Sequence, residues 1–411
     1  MPDKHPKLTE IDLNGNGTES PEEKPKLLPN LNSALTILET DPAMKGKIWY
    51  DEFLARFLTG NPPREWKDAD DLQIQLYMQR ASRVHKIGRE AVCGALHLMA
   101  HRNKKNCVKD WLNSLIWDKV PRCELMFSDH FGAANTPYTQ AVSRNFWVSM
   151  VARVFNPGCQ VDNMIVLEGK QGIMKSSALR VIGGDWFTEQ HETAMNPKAF
   201  SEIIQGKLLI EISEMDSFVR AEMTKVKQVI TCVSDRFREP WAKHASDHPR
   251  QCVFAGTTNK DDWNRDETGA RRFWPIQCHG MIDLEALRKN RAQYFAEAVH
   301  LFKSSTSWWL TPEEATKAEQ DRRYQADVWS DKVEHYLNNE RLGDTQWAAR
   351  LSKLSSVTID MVLADAIQLK TERWTRSEQM RVATILKRLG YKRKQRNDGS
   401  WHYALSEEVG Y

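Results

Sequence analysis

The chain contains no run of about 18 apolar residues, and its opening MPDKHPKLTE lacks the apolar stretch of a signal peptide. Both absences speak against a helical membrane protein and a secretory precursor, so a soluble, cytoplasmic protein is expected. It has no CxxC pair and no Cys/His spacing of a zinc site. The seven cysteines (Cys93, Cys107, Cys123, Cys159, Cys232, Cys252, Cys278) are odd in number and widely scattered, which predicts reduced, mostly buried thiols in place of a disulfide framework. No excess of charge of either sign is present: 58 basic against 55 acidic residues leave a net +3, so any attraction to a polyanion must be local. Mean hydropathy is −0.60. What the chain does have is length: 411 residues, 41% of them hydrophobic, are enough for a core in two or three domains.

Residues 1–40 are rich in Pro, Gly, Asn, Glu and Lys toward their start, which predicts a disordered tail. From residue 41 to 125 the pattern turns helical, in IWYDEFLARFL, in DADDLQIQLYMQRAS with Asp68 as N-cap, and in REAVCGALHLMAHRN. A core is expected over 126–303. It opens with the helix TPYTQAVSRNFWVSMVARVF, closed by Asn156-Pro157-Gly158, and then enters the buried strand NMIVLEG. Beyond it strands and helices alternate through ALRVI, KAFSEIIQ, the strand KLLIEIS, the helix AEMTKVKQVITCV, the strands QCVFAGTTN and RRFWPIQ, and the helix DLEALRKNRAQYFAEAVHLF, the signature of a mostly parallel sheet between helices. A helical connector, 304–370, leads to a last domain, 371–411. There Thr375 and Glu378 form a reciprocal cap, the helix runs to Leu389, Gly390 stops it, and YKRKQR and WHYAL form a hairpin about Asn397-Asp398-Gly399. A helix followed by a basic hairpin predicts a winged-helix-like ending.

The chemistry concentrates in Glu168-Gly169-Lys170-Gln171-Gly172-Ile173-Met174-Lys175-Ser176-Ser177, which follows a strand and opens a helix, the context a phosphate-binding loop requires. Its backbone N–H groups and the helix start would hold the phosphates of ATP, Lys175 would face the β- and γ-phosphates, and Ser176 would ligate Mg²⁺. Met174 stands where the G-x-x-x-x-G-K-[ST] pattern has glycine, which implies local strain or a path that uses Gly172. A glycine turn with a chance lysine is the plainer reading. The acid-ended strand KLLIEIS offers Glu211 beside the metal and Glu214 to polarise water, with Asp216 as a competitor for either role. Asn259 ends a third strand, where its amide would hold the attacking water or the γ-phosphate, and Arg271-Arg272 precede a fourth strand, a place for an arginine finger.

The run AVSRNFWVSMVARVFNPGCQVDNMIVLEGKQGIMKSSALRVIGGDWFTE, with WDKVPR before it and GTTNKDDWNRDETGARRFWPI after it, resembles the virulence-associated E family over roughly 117–302. These are P-loop helicase-like ATPases of phages, prophages and genomic islands, similar in arrangement to superfamily 3 helicases. The resemblance implies an α/β, AAA+-like P-loop NTPase core in a hexameric or other ring that moves along single-stranded or forked DNA in a bacterial host, with an N-terminal helical domain like the linker that precedes such ATPases and no primase. It carries over Lys175, Ser176, Glu211, Glu214, Asn259 and Arg271 or Arg272 at matching positions.

Two stretches are candidates for DNA. SDRFREPWAKHASDHPR offers Arg236, Arg238, Lys243, His244 and Arg250 around Trp241, and Lys243-His244 resembles the basic hairpin tip that superfamily 3 helicases project into the ring. A plain surface loop meets the same description. Residues 370–396 hold ten basic and two acidic residues, among them Arg381, Lys387, Arg388, Lys392, Arg393, Lys394 and Arg396, suited to duplex DNA or to a protein docking surface. Other replication proteins are candidate partners. The competing functions are an ATPase that loads or remodels a replication protein without unwinding, and a non-catalytic DNA-binding factor.

Overall fold

Short apolar segments of strand composition, separated by helices, assemble into one parallel sheet, as the alternation predicts. The computed structural model describes residues 28–80, 84–190, 197–218, 220–238, 244–260, 263, 270–323, 328–338, 354, 356–396 and 398–405. Strands β1 (Met164–Glu168), β2 (Phe187–Gln190), β3 (Leu209–Ile212), β4 (Val253–Thr258) and β5 (Phe273–Gln277) lie in the order β5-β1-β4-β3-β2, every neighbouring pair parallel. β1, β3 and β4 are buried at every position, which is why they read as continuous apolar runs without alternation.

One face of the sheet, with Ile165, Leu167, Leu209, Val253 and Ala255, packs with residues of the helices Pro137–Phe155, Lys175–Gly183 and Leu284–Lys303. The other face, with Met164, Val166, Ile210, Ile212 and Phe254, packs with residues of Pro197–Ile204 and Arg220–Thr231. Helix Pro137–Phe155 starts where Thr136 accepts the Thr139 N–H at 3.2 Å with proline at the first turn, a position that has no N–H partner to lose. Because all five strands run the same way, the segments that follow β1, β3 and β4 share one edge of the sheet.

The N-terminal part departs from the sequence reading. A helix, Leu31–Thr40, stands inside the expected tail, capped by Asn30, which accepts the Ser33 N–H at 3.0 Å. The segment IWYDEFLARFL is no helix: Ile48–Asp51 and Arg56–Thr59 pair as antiparallel strands. The cause is Asp51. Its buried carboxylate accepts the N–H groups of Phe53, Leu54 and Cys107 at 2.9–3.0 Å, turning the chain where a helix would continue. Helices Asp68–Arg80 and Arg89–Arg102 do form, and with Leu31–Thr40 they enclose a core of their own. Asp68 is the first helical residue and not the cap.

Residues 325–411 form a second compact unit, so the expected connector is divided. Helix Glu313–Arg322 belongs to the first unit and packs on β5, where Gln320 Nε2 donates to the Phe273 carbonyl at 2.9 Å. In the second unit, Ser330–Asn338 and Arg376–Arg388 pack with a three-stranded sheet in which Trp401–Leu405 lies between Ser356–Val357 and Tyr391–Gln395. Helix and hairpin thus stand as expected, and Gly390 takes φ +90° after the last turn. Thr375 does not cap through its oxygen; its hydroxyl donates to the Glu378 carboxylate. Asn397 lies outside the described residues. All seven cysteines are free, three buried and four partly so. Among the described residues no helix is long and apolar enough to cross a membrane, and no group of three or more His, Cys, Asp or Glu side chains is placed to hold a metal ion.

Candidate functional site

Gly169 follows β1 directly and turns the chain at φ +149°; a Cβ there would lie 2.7 Å from Ile173 Cδ1 and 2.8 Å from the Cys278 carbonyl oxygen, so only glycine fits. Gly172 also has positive φ, +86°. Met174 then takes the left-handed conformation, φ +73° and ψ +28°, immediately before the helix Lys175–Gly183. Its side chain points to solvent, so the methionine reaches the backbone geometry of a glycine at the cost of backbone strain alone.

The helix delivers Lys175 and Ser176 to the edge of the sheet. Lys175 is buried, and its Nζ donates to the carbonyls of Gly169 at 2.6 Å and Lys170 at 3.0 Å and to Asn259 Oδ1 at 3.2 Å. Asn259 follows β4, which lies beside β1, and this adjacency brings residues far apart in sequence within one hydrogen bond. Ser176 Oγ donates to Glu211 Oε1 at 2.6 Å, and Thr257 Oγ1 to the same oxygen at 2.7 Å. Glu211 is fully buried in β3, and its Oε2 has no hydrogen-bond partner among the described residues. Burial pushes its carboxyl above the ordinary carboxylate range; the Ser176 and Thr257 hydroxyls pull it back, and Glu189, its register partner in β2, pushes it further up.

Lys175, Ser176, Thr257 and Asn259 line a cavity of about 290 Å³ together with Gln171, Gly172, Glu189 and Glu214. Glu214 is exposed and left-handed at φ +54°, just past β3. A carboxylate oxygen without a partner beside a serine hydroxyl is a pair of hard oxygen donors, which fits Mg²⁺. The loop's backbone N–H groups and Lys175 suit a polyphosphate. The Asp216 side chain lies outside the described residues. Glu189 and Thr257 escaped the sequence reading: β2 is short and mostly polar, and Thr257 reads as one more residue of a buried strand.

Arg271 and Arg272 are not in this cavity. They precede β5, whose first residue, Phe273, pairs with Met164 at the start of β1, whereas the loop follows Glu168 at its end. The arginines therefore stand at the opposite edge of the sheet. Arg271 is exposed, with its carbonyl held by Asn163 Nδ2 at 2.7 Å; Arg272 is half-buried, and its Nε has no partner among the described residues.

Ser234–Phe237 and Ser246–Pro249 form the hairpin that precedes β4. His244 is exposed near its tip, and Lys243 and Trp241 lie outside the described residues. Arg250 is withdrawn from the surface: it is buried against Asp235 at 2.6 and 2.7 Å, so it anchors the hairpin base and does not face a phosphate. In the second unit, Lys387, Arg388, Lys392, Arg393, Lys394 and Arg396 are exposed. Arg393 lies over Trp401 at 4.0 Å and Arg381 over Trp329 at 3.9 Å.

Two solved structures share this fold, both apo structures of the NrS-1 C-terminal region (305–718). One is 14% identical, with a TM-score of 0.51, over 87% of this chain and 95% of that one. The other, the A form, is 12% identical, with a TM-score of 0.53, over 92% of this chain and 99% of that one. No curated protein matches the sequence. Residues 112–348 match the family described as the virulence-associated protein E-like domain, which is more than half of the 411 residues. The chain belongs to the virulence-associated protein E-like family.

Proposed function

We propose that this protein is a P-loop ATPase that couples ATP hydrolysis to movement on DNA, a helicase or translocase of a phage or mobile-element replication system. The observation that carries the reading is the convergence at one sheet edge of Lys175 with Asn259 and of Ser176 with Glu211. Lys175 faces the β- and γ-phosphates, Ser176 and Glu211 hold Mg²⁺, and Asn259 positions the γ-phosphate or the attacking water. Glu214, exposed at the rim of the same cavity, polarises that water. Bound Mg²⁺ supplies charge neutralisation at the phosphate oxygens.

The strand order β5-β1-β4-β3-β2 supports an AAA+-like, superfamily 3-like core, and helix plus basic hairpin support a winged-helix-like DNA-binding domain in the second unit. Arg271 and Arg272, on the far edge of the sheet, cannot serve the site of their own chain. They suit a finger reaching into a neighbouring subunit of the hexameric or other ring that the family implies. The test is ATP turnover with and without single-stranded DNA. Lys175→Ala should lower turnover at least about a hundredfold while retaining the wild-type melting temperature; turnover equal to wild type would falsify the reading. Strand displacement on a forked duplex separates a helicase from an ATPase that loads or remodels a replication protein.

A further inference from the structure

Glu168, the last residue of β1, is fully buried although it carries a carboxylate. It is tied on two sides. Arg323 donates to it from Nε at 3.0 Å and from Nη2 at 2.9 Å, and Trp263 Nε1 donates to Oε1 at 2.8 Å. Trp263, itself buried, stands in the chain between Asn259 and Arg271, and its ring meets Phe273 edge-on at 5.4 Å. Phe273 follows Arg272 directly, and its carbonyl is held by Gln320 from the helix that precedes Arg323.

A buried ion pair of this kind adds little stability over apolar residues of equal volume, so its place in the fold is the informative feature. One residue before the loop that holds Lys175, the same carboxylate fixes the indole that braces Phe273, the strand residue next to the arginines. We infer that Glu168 and Trp263 are positioning residues that hold the Arg271–Arg272 turn in register with the phosphate loop of the same chain. A shift of the loop on nucleotide exchange then moves Trp263, and through Phe273 the arginines at the other edge. The inference rests on the ATPase reading above.

The test is Trp263→Phe in the full chain, which keeps the ring on Phe273 and removes only the N–H donor. kcat should fall about tenfold, the equivalent of one charge-assisted hydrogen bond, with KM for ATP unchanged, while loss of a donor to a buried carboxylate lowers the melting temperature. Combined with Arg271→Ala and Arg272→Ala, it should cause no further loss, because it acts through those residues. Trp263→His, which retains a ring N–H, should restore part of kcat. A wild-type kcat in Trp263→Phe, losses that multiply with the arginine substitutions, or a rise in KM parallel to the fall in kcat would each overturn the inference. Full turnover in Lys175→Ala would instead remove the ATPase reading, whatever Trp263→Phe does.

Discussion

Met174 shows how much a single backbone position weighs in this site. A non-glycine residue at φ +73° carries roughly 1–2 kcal/mol of local strain. The departure from the glycine pattern is legible in the sequence; what it does to the loop is not. The structure keeps both features that the sequence offered as alternatives, a strained Met174 and a positive φ at Gly172. Met174→Gly should therefore raise the melting temperature, by an amount reduced by the extra freedom of glycine in the unfolded chain. Thermal denaturation of the two proteins checks this. A lower melting temperature would mean that the thioether, 3.7 Å from Ser177 Oγ, contributes more than the backbone loses.

Among the elements, helix Leu284–Lys303 was readable from its pattern, and Asp283 caps it by accepting the Ala286 N–H at 3.0 Å. Its most polar buried residue was not. Glu297 accepts the N–H groups of Arg122 at 2.6 Å and Cys123 at 3.0 Å, clamping a distant turn onto the helix. Burial raises its carboxyl above the ordinary value of 4.5, although the two backbone N–H groups pull the other way. A folded value above the unfolded one means that the protonated form favours the fold. That contribution is full below the unfolded value and is lost as pH rises through the folded one. Glu297→Gln keeps an oxygen for both N–H groups and carries no charge, so its melting temperature should exceed that of the wild type at pH about 8 and converge with it toward pH about 4. A constant difference across that range would locate the effect in packing. The strands Ile48–Asp51 and Arg56–Thr59 show the reverse case, an apolar segment with helical spacing that a carboxylate 56 residues from one of its partners turns into a hairpin.

For the whole molecule, the division at 324/325 decides where the chain can be cut. Removing only residues 371–411 would take Val382, Ile385, Leu386, Tyr391 and Tyr403 from a core they share with Val333, Leu337, Val357, Val362 and Leu363. Residues 1–324 retain the sheet and every group around Lys175. This truncated protein should keep DNA-independent ATP turnover and bind a short duplex more weakly, with a flatter dependence on salt, since each lost phosphate contact removes roughly 0.9 from the log–log slope. Fluorescence anisotropy over a salt series decides it, and an unchanged slope would assign the basic hairpin to a protein partner.

Local chemistry wrote the loop 169–177, the acid-ended strand, Asn259 and the terminal helix and hairpin into the sequence, because each depends on residues close together in the chain. Which carboxylate meets Ser176, which basic side chain is spent on anchoring, as Arg250 is, and on which edge Arg271 and Arg272 stand were decided by the order of the strands. Strand order is set by packing two faces of one sheet against helices from all along the first unit, a balance of burial over the whole core that no short window of sequence contains.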